Sequence, residues 1–335
     1  MGAHREMTRF FIACRLRFVF KFGSRIYSEN HNNNKKCSQE PRVQKVDLHM
    51  ENISELTPAT DTSRISISAH YTGYIWYKNG LSHKQFVTPM GRTAYWALKP
   101  MNVFMQAMVG ASIDTFLLQR HFVLDHLVEQ AISEGYEQIV ELAAGLSSRG
   151  YLIKKTYPNV HYVEGDLPGM SARKAELLDN LGRMEGHITQ PCNILDKAGV
   201  QSIEALLGSL DQSKKTLIIT EGLVNYFDLE TIRTVWSRMA KVMKGFPQAR
   251  YITEVYPKLE QHPSYKYVKV AQKVVGFFTQ GDYPLHYNSN ESMQQGFLED
   301  GFTRVNVTAP EDYYDQLDMP TSSRQSLVRL VVADV

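Results

Sequence analysis

"IVELAAGLSSRG", residues 139–150, is an apolar run that ends in an acid and is followed by two glycines among small residues. Such a run reads as a buried strand, and the small residues after it let the backbone approach a ligand or a packed helix closely. The turn is not GxGxxG, and tight strand-to-helix packing accounts for it as well as a ligand does. What surrounds it decides the fold. Upstream, residues 101–134 carry apolar side chains every three or four positions and read as helical. Downstream the chain alternates. The first run reads as a strand at Gln138–Leu142, with further strands at residues 161–164, 216–220 and 250–255. Helices are expected at residues 171–181, 203–210 and 229–244, the last with Asp228 as its N-cap. This alternation specifies a parallel sheet with helices on both faces. Two last strands, 302–307 and 326–333, have no helix-length periodic segment between them and are expected to pair antiparallel.

Composition limits the candidates. The 335 residues are 43 % apolar, enough for a sizeable core. The net charge of +2 is uneven, because residues 1–48 hold ten Lys or Arg against four acids. The remainder has 27 basic and 31 acidic residues, about −4, which argues against a nucleic-acid partner. Cys14, Cys37 and Cys192 are too few and too scattered for a disulfide framework or a four-ligand zinc site, so a reducing, cytoplasmic setting is expected. No window approaches 18 uninterrupted apolar residues, and no transmembrane segment is expected. "RFFIACRLRFVFKF", residues 9–22, reads either as a basic amphipathic anchor or targeting segment, or as part of a disordered extension over residues 1–49. In the second case Met50 could be the true start. Residues 50–335 read as a single domain with no linker and no repeat. It has an aromatic-rich entry segment or cap at about 65–100 and a late lid insertion at about 256–300.

In an open α/β sheet ligands sit beyond the carboxyl ends of the strands, where strand order reverses. The turn at Ala143, Ala144 and Gly145 is therefore the first candidate. "YVEGDLPG" places Glu164 and Asp166 about twenty residues further on, where an acid can take ribose hydroxyls. Glu221 emerges from an apolar strand in "TEGLVNYF" and needs a cationic or hydrogen-bonding partner in the crevice. S-adenosylmethionine supplies both.

"RHFVLDHLV", "IVELAAGLSSRG", "YVEGDLPGMSARK", "PCNILD" and "ITEGLVNYF" resemble, in order and spacing, the leucine carboxyl methyltransferase family. That family includes bacterial O-methyltransferases associated with polyketide biosynthesis. The resemblance runs from about Ile65 to the C-terminus and is densest between Arg120 and Phe227. It implies the class I methyltransferase fold, a Rossmann-like sheet closed by an antiparallel strand pair, and S-adenosyl-L-methionine as cofactor. Carried over by residue, Arg120 binds the methionyl carboxylate, Gly145 forms the first turn, and Asp166 takes the ribose. Asn193 and Ile194 flank the adenine, and Glu221 is the acid after the fourth strand. Glu141, at the end of the first strand, is counted with them. Two positions depart from the family pattern. Ser147 stands where an aspartate is usual and Asn193 where a carboxylate is, so hydrogen-bonding capacity is kept while charge is lost.

The implied reaction is transfer of a methyl group to a carboxylate or hydroxyl oxygen of a small-molecule acceptor. It is an in-line displacement governed by positioning, with no metal site expected. Tyr226 matches a family tyrosine near the substrate, and its alternative is a core aromatic. His286, in "YPLHYNSNE", is a second acceptor-side candidate whose alternative is a satisfied structural histidine. Two other classes stand beside this reading: a non-catalytic S-adenosylmethionine-binding protein and a nicotinamide-dependent dehydrogenase. The sequence leaves the acceptor and the oligomeric state open.

Overall fold

The computed structural model describes residues 67–258 and 284–335. The expectations for residues 1–49, for a start at Met50 and for the central part of the late insertion lie outside the described residues. The first three helices are α1 (Ile67–Lys78), α2 (Pro89–Val109) and α3 (Ile113–Ser133). Then come β1 (Gln138–Leu142), α4 (Arg149–Thr156), β2 (His161–Asp166), α5 (Pro168–Leu181) and β3 (His187–Pro191). The chain continues through α6 (Ile203–Gly208), β4 (Thr216–Thr220), α7 (Leu229–Met243) and β5 (Ala249–Val255). It ends with α8 (Asn290–Glu299), β6 (Arg304–Thr308) and β7 (Arg329–Asp334).

The seven strands form one sheet in the order β3-β2-β1-β4-β5-β7-β6. β1 to β5 are parallel, and β7 runs antiparallel to both β5 and β6, as the sequence pattern required. The register sets Leu142 beside both Gly165 and Thr220, so the chain leaves β1, β2 and β4 side by side at one edge. Strand order reverses between β1 and β4, and this is where a ligand crevice is expected. All five residues of β1 and of β4 are buried, the signature of strands covered on both faces. Alternate residues serve opposite faces. Val140, Leu142 and Ile218 pack with Trp236, Met239 and Phe297 on one side. Ile139, Leu217 and Ile219 pack with Val123, Leu124 and Val328 on the other. Each fully buried side chain of this size contributes about 1.5–3 kcal/mol.

The single helical stretch read at residues 101–134 is two helices. α2 starts at Pro89, with Thr88 capping Gly91, and stops at Gly110, which has φ of +82°. Ser112 then opens α3 with a reciprocal cap to Thr115, and the two axes meet at 82°. A left-handed glycine followed by a serine cap ends one helix and starts another even though the apolar period runs through. Among the described residues no single helix is long and apolar enough to cross a membrane, and α2 with α3 passes by length and composition only as this bent pair. The helices α1 and α4, the strand β3 and the helix α8 were not foreseen. β3 is a sheet-edge strand with only its first residue buried, and α8 has few apolar residues but a Ser289 cap.

Candidate active site

The site begins at the turn after β1. Ala143 and Gly145 both take positive φ, +54° and +49°. Asp166, at the end of β2, holds this turn through one carboxylate oxygen, which accepts the Gly145 N–H at 2.7 Å, while its other oxygen accepts Leu167 N–H at 2.7 Å. Burial raises the Asp166 pKa in spite of these two bonds. Ser147, in the position where the family has an aspartate, accepts the Arg149 N–H through its hydroxyl at 3.2 Å. The second glycine of the opening stretch serves packing. A Cβ on Gly150 would meet Glu164 Oε1 at 2.5 Å and His187 Nε2 at 2.7 Å, so any other residue there would have to displace these two side chains and break their contact for α4 to seat against β2 and β3.

Arg149 is the centre of the site, and the sequence reading passed over it. Its guanidinium lies 2.5 Å from Asp125, 2.7 Å from Glu141 and 2.6 Å from Glu221. Burial works against its charge, but the three carboxylates raise its pKa well above the ordinary value. Glu141 takes Arg149 on one oxygen and the Tyr162 hydroxyl on the other, at 2.7 Å each. Its carboxylate is thus committed to holding Arg149.

Glu221 was expected to need a cationic partner from a ligand. The protein supplies partners itself, two guanidiniums and an imidazole, with Arg120 Nε at 3.0 Å, Arg149 Nη2 at 2.6 Å and His121 Nδ1 at 2.8 Å. Burial pushes the Glu221 pKa up, and His121, Arg149 and Arg120 together pull it far below the usual carboxylate range. A carboxylate only accepts, so the His121 Nδ1 facing Glu221 must carry a proton. The 3.0 Å approach of Arg149 to the same nitrogen is then a contact, not a bond. Trp76 of α1 stacks on the His121 ring with centroids 4.4 Å apart.

Arg120 also reaches Glu254, at 3.3 Å, at the end of β5. Glu254 accepts the Gly222 N–H at 2.6 Å through the same oxygen, and its second oxygen is buried with no hydrogen-bond partner among the described residues. Burial, opposed by Arg120 and reinforced by Glu221, pushes its pKa up to about 7. The site therefore sets four carboxylates, on Asp125, Glu141, Glu221 and Glu254, against two guanidiniums and one imidazole.

The remaining expected residues lie around this cluster. Asn193 uses its amide on its own loop, accepting Leu195 N–H at 3.1 Å and donating to Asp196 at 2.7 Å. Ile194 packs in the core that also holds Val163, Leu206 and Val235. Tyr226 is 37 % exposed, and its hydroxyl lies 2.6 Å from the Ser68 hydroxyl of α1. His286, the second acceptor-side candidate, is only 2 % exposed. Its N–H donates to the Tyr256 carbonyl at 3.1 Å, and burial lowers its pKa. Among the described residues no group of three His, Cys, Asp or Glu could hold a metal ion.

The missed residues had signals. His121 and Asp125, beside Arg120 in "RHFVLD", are four residues apart and so share a helix face. The tripeptide "ITE" occurs at the carboxyl end of both β4 and β5, its glutamate just past the last residue of the first and one short of the last residue of the second, and those strands pair Ile219 with Ile252, which brings Glu221 and Glu254 to one edge.

Residues 82–240 match the family model for leucine carboxyl methyltransferase. No curated protein matches the sequence. Among solved structures the fold is similar to a DUF574 family protein from Streptomyces avermitilis, at 13 % identity and a TM-score of 0.56, covering 79 % of this chain and 96 % of that one. A putative methyltransferase from Thermobifida fusca is 14 % identical with a TM-score of 0.54, covering 82 % and 97 %. A structure of PigF with SAH is 15 % identical with a TM-score of 0.40, covering 59 % of this chain and 50 % of that one, so this chain spans half the length of that protein. The first two likenesses establish the class I methyltransferase fold.

Proposed function

We propose a function from the premise that residues 82–240 belong to the leucine carboxyl methyltransferase family: the protein is an S-adenosylmethionine-dependent O-methyltransferase acting on a small-molecule carboxylate or hydroxyl. The observation that carries the cofactor is the charge balance. Four carboxylates against two guanidiniums and one imidazole, with one Glu254 oxygen unpartnered among the described residues, make a buried site that favours a further cation. A sulfonium with an α-amino group is such a ligand. When bound, it supplies an electrophilic methyl group for displacement by an oxygen nucleophile.

The chain's own residues do the rest. Gly145 and Asp166 form the cradle for the nucleoside, with Asn193 and Ile194 assigned to the adenine side. Arg120, Glu141 and Glu221 serve the amino-acid end, Glu141 acting through Arg149. Tyr226, tied to Ser68 of α1, is the residue assigned to orient the acceptor oxygen. His286 is assigned to support the turn that carries Tyr226. Alignment of acceptor and methyl group can supply roughly 7–11 kcal/mol of the barrier. A carboxylate acceptor is ionised at neutral pH and needs no base, whereas a phenol with pKa ~10 would use a hydrogen-bond acceptor at the same place. The cytoplasmic setting read from the scattered cysteines belongs to the same proposal.

The test is binding followed by turnover. S-adenosylhomocysteine should bind in calorimetry while NAD does not, and methyl-labelled cofactor should mark an acceptor in a metabolite extract. With that acceptor in hand, Tyr226→Phe should lower turnover roughly tenfold or more and leave cofactor affinity nearly unchanged. Cofactor binding with no labelled product from any extract would favour a non-catalytic binder. Unchanged turnover in Tyr226→Phe would make Tyr226 a packing residue.

A further inference from the structure

On the other side of the β1 turn lies a second buried charge cluster that the proposed reaction does not use. Lys174 of α5 is 2 % exposed, and its ammonium lies 2.5 Å from Glu164. The other Glu164 oxygen is 2.7 Å from His187 Nε2. Burial opposes ionisation of Glu164, yet Lys174 and His187 hold its pKa below the ordinary value. The same ammonium also donates to two backbone carbonyls of the turn, Gly145 at 3.3 Å and Ser147.

Those two contacts fix more than two oxygens. In a trans peptide the N–H points opposite to the C=O. Carbonyls of Gly145 and Ser147 drawn toward Lys174 turn the N–H groups of Leu146 and Ser148 away from it. Leu146 and Ser148 are 3 % and 1 % exposed, and neither N–H donates to any group among the described residues. Buried N–H groups are seldom left unpaired, so two in a three-residue stretch at the switch point call for an acceptor that the described residues do not supply.

We propose that Lys174 is a positioning residue for cofactor binding. It orients the β1 turn so that the Leu146 and Ser148 N–H groups meet acceptor oxygens of the bound S-adenosylmethionine-type ligand, and Glu164, backed by His187, keeps the ammonium in place. The inference rests on the cofactor reading above. It assigns the lysine of "MSARK" a role in ligand geometry, beyond stability.

S-adenosylhomocysteine is the probe. Calorimetry on the full chain should show at least a tenfold weaker Kd for Lys174→Gln, which keeps N–H donors but loses the charge, and a larger loss for Lys174→Met. Amide hydrogen exchange gives a readout that a purely structural lysine would not move. In the parent protein the peptide covering residues 143–149 should gain protection at saturating ligand, and in Lys174→Gln that gain should be lost even at saturation. A Kd within twofold of the parent, or a parent peptide that gains no protection at saturation, overturns the proposal. The second measurement needs no variant, so an unfolded Lys174→Gln protein does not shelter the idea. A parent protein that fails to bind the ligand at all overturns the cofactor reading as well, whereas binding that is indifferent to Lys174 overturns this inference alone.

Discussion

The two charge clusters that flank the β1 turn are built to different balances. Around Lys174 one ammonium faces one carboxylate and one imidazole, its remaining bonds go to the backbone, and only the far ring nitrogen of His187, an uncharged site, lacks a partner among the described residues. Around Arg149 four carboxylates face two guanidiniums and one imidazole, and one carboxylate oxygen has no partner among the described residues. Exposure does not separate them, since only Asp125 is appreciably open to solvent. Buried charge is costly unless matched. A matched cluster serves to hold a loop, and a cluster with charge left over is where a ligand of opposite sign gains most.

The largest effect should come from removing the cation at the centre of the unbalanced cluster. Arg149→Met leaves Asp125, Glu141 and Glu221 facing one another without their shared partner. Breaking a buried pair in this way costs about 3–5 kcal/mol, and here three pairs break at once. The loss should appear as a large drop in the urea midpoint. Arg149→Lys should recover only part of it, because an ammonium cannot present the planar fork that reaches three carboxylates. Lys174→Met strands only Glu164, which keeps its His187 bond, and should cost less. A Lys174→Met loss equal to that of Arg149→Met would break the comparison.

A pH series sharpens it. Glu254 has its pKa raised from 4.5 to about 7 by burial. The folded chain therefore keeps a proton that the unfolded chain has lost, and the contribution of this group to stability falls as pH rises from about 4.5 to about 7, then levels off. Glu221 runs the other way. Its depressed pKa gives stability that is present above the ordinary glutamate range and lost as pH falls toward its folded value. Glu254→Gln keeps the neutral form and removes the titration. Its melting temperature should match the parent near pH 5 and exceed it by pH 8. Parallel curves for the two proteins across this range would show that Glu254 is ionised throughout and that the cluster is more nearly matched than its geometry indicates.

Much of the frame was legible because it is written in local patterns. The alternation of apolar runs marked four of the five parallel strands and the terminal antiparallel pair, and Asp228 caps α7 by accepting Thr231 N–H at 2.8 Å. The break between α2 and α3 was not read, since the apolar period continues across Gly110 and Ser112 and only the cap chemistry marks it. At the site, Arg120 and Glu221 were picked out by motif, and they do meet. Arg149 was missed although it stands inside the opening stretch. A lone arginine at the start of a helix reads as solvent-facing, and its burial depends on Asp125, Glu141 and Glu221, which arrive from three other elements. Glu254 was missed for the same reason, because its charge state is decided by the neighbouring strand.

The smallest expected effect concerns the residue at which the two clusters meet in the chain. Ala143 sits in the turn with φ of +54°, a conformation that costs a residue with a Cβ roughly 1–2 kcal/mol. The turn is held there from several directions. The Ala143 N–H donates to the Gly165 carbonyl at 2.7 Å, Gly145 is fixed by Asp166, and the carbonyls beyond are fixed by Lys174. Such over-determination is what lets a strained residue persist. Ala143→Gly removes the Cβ clash and adds unfolded-state entropy that offsets roughly 0.5–1 kcal/mol of the gain. A net stabilisation of about 0.5 kcal/mol should result, read by urea denaturation, with the S-adenosylhomocysteine Kd unchanged because the surrounding bonds still define the turn. A variant that is more stable but binds more weakly would show instead that the Ala143 methyl group itself shapes the ligand cradle, and that the two clusters do not suffice to hold the turn in its binding form.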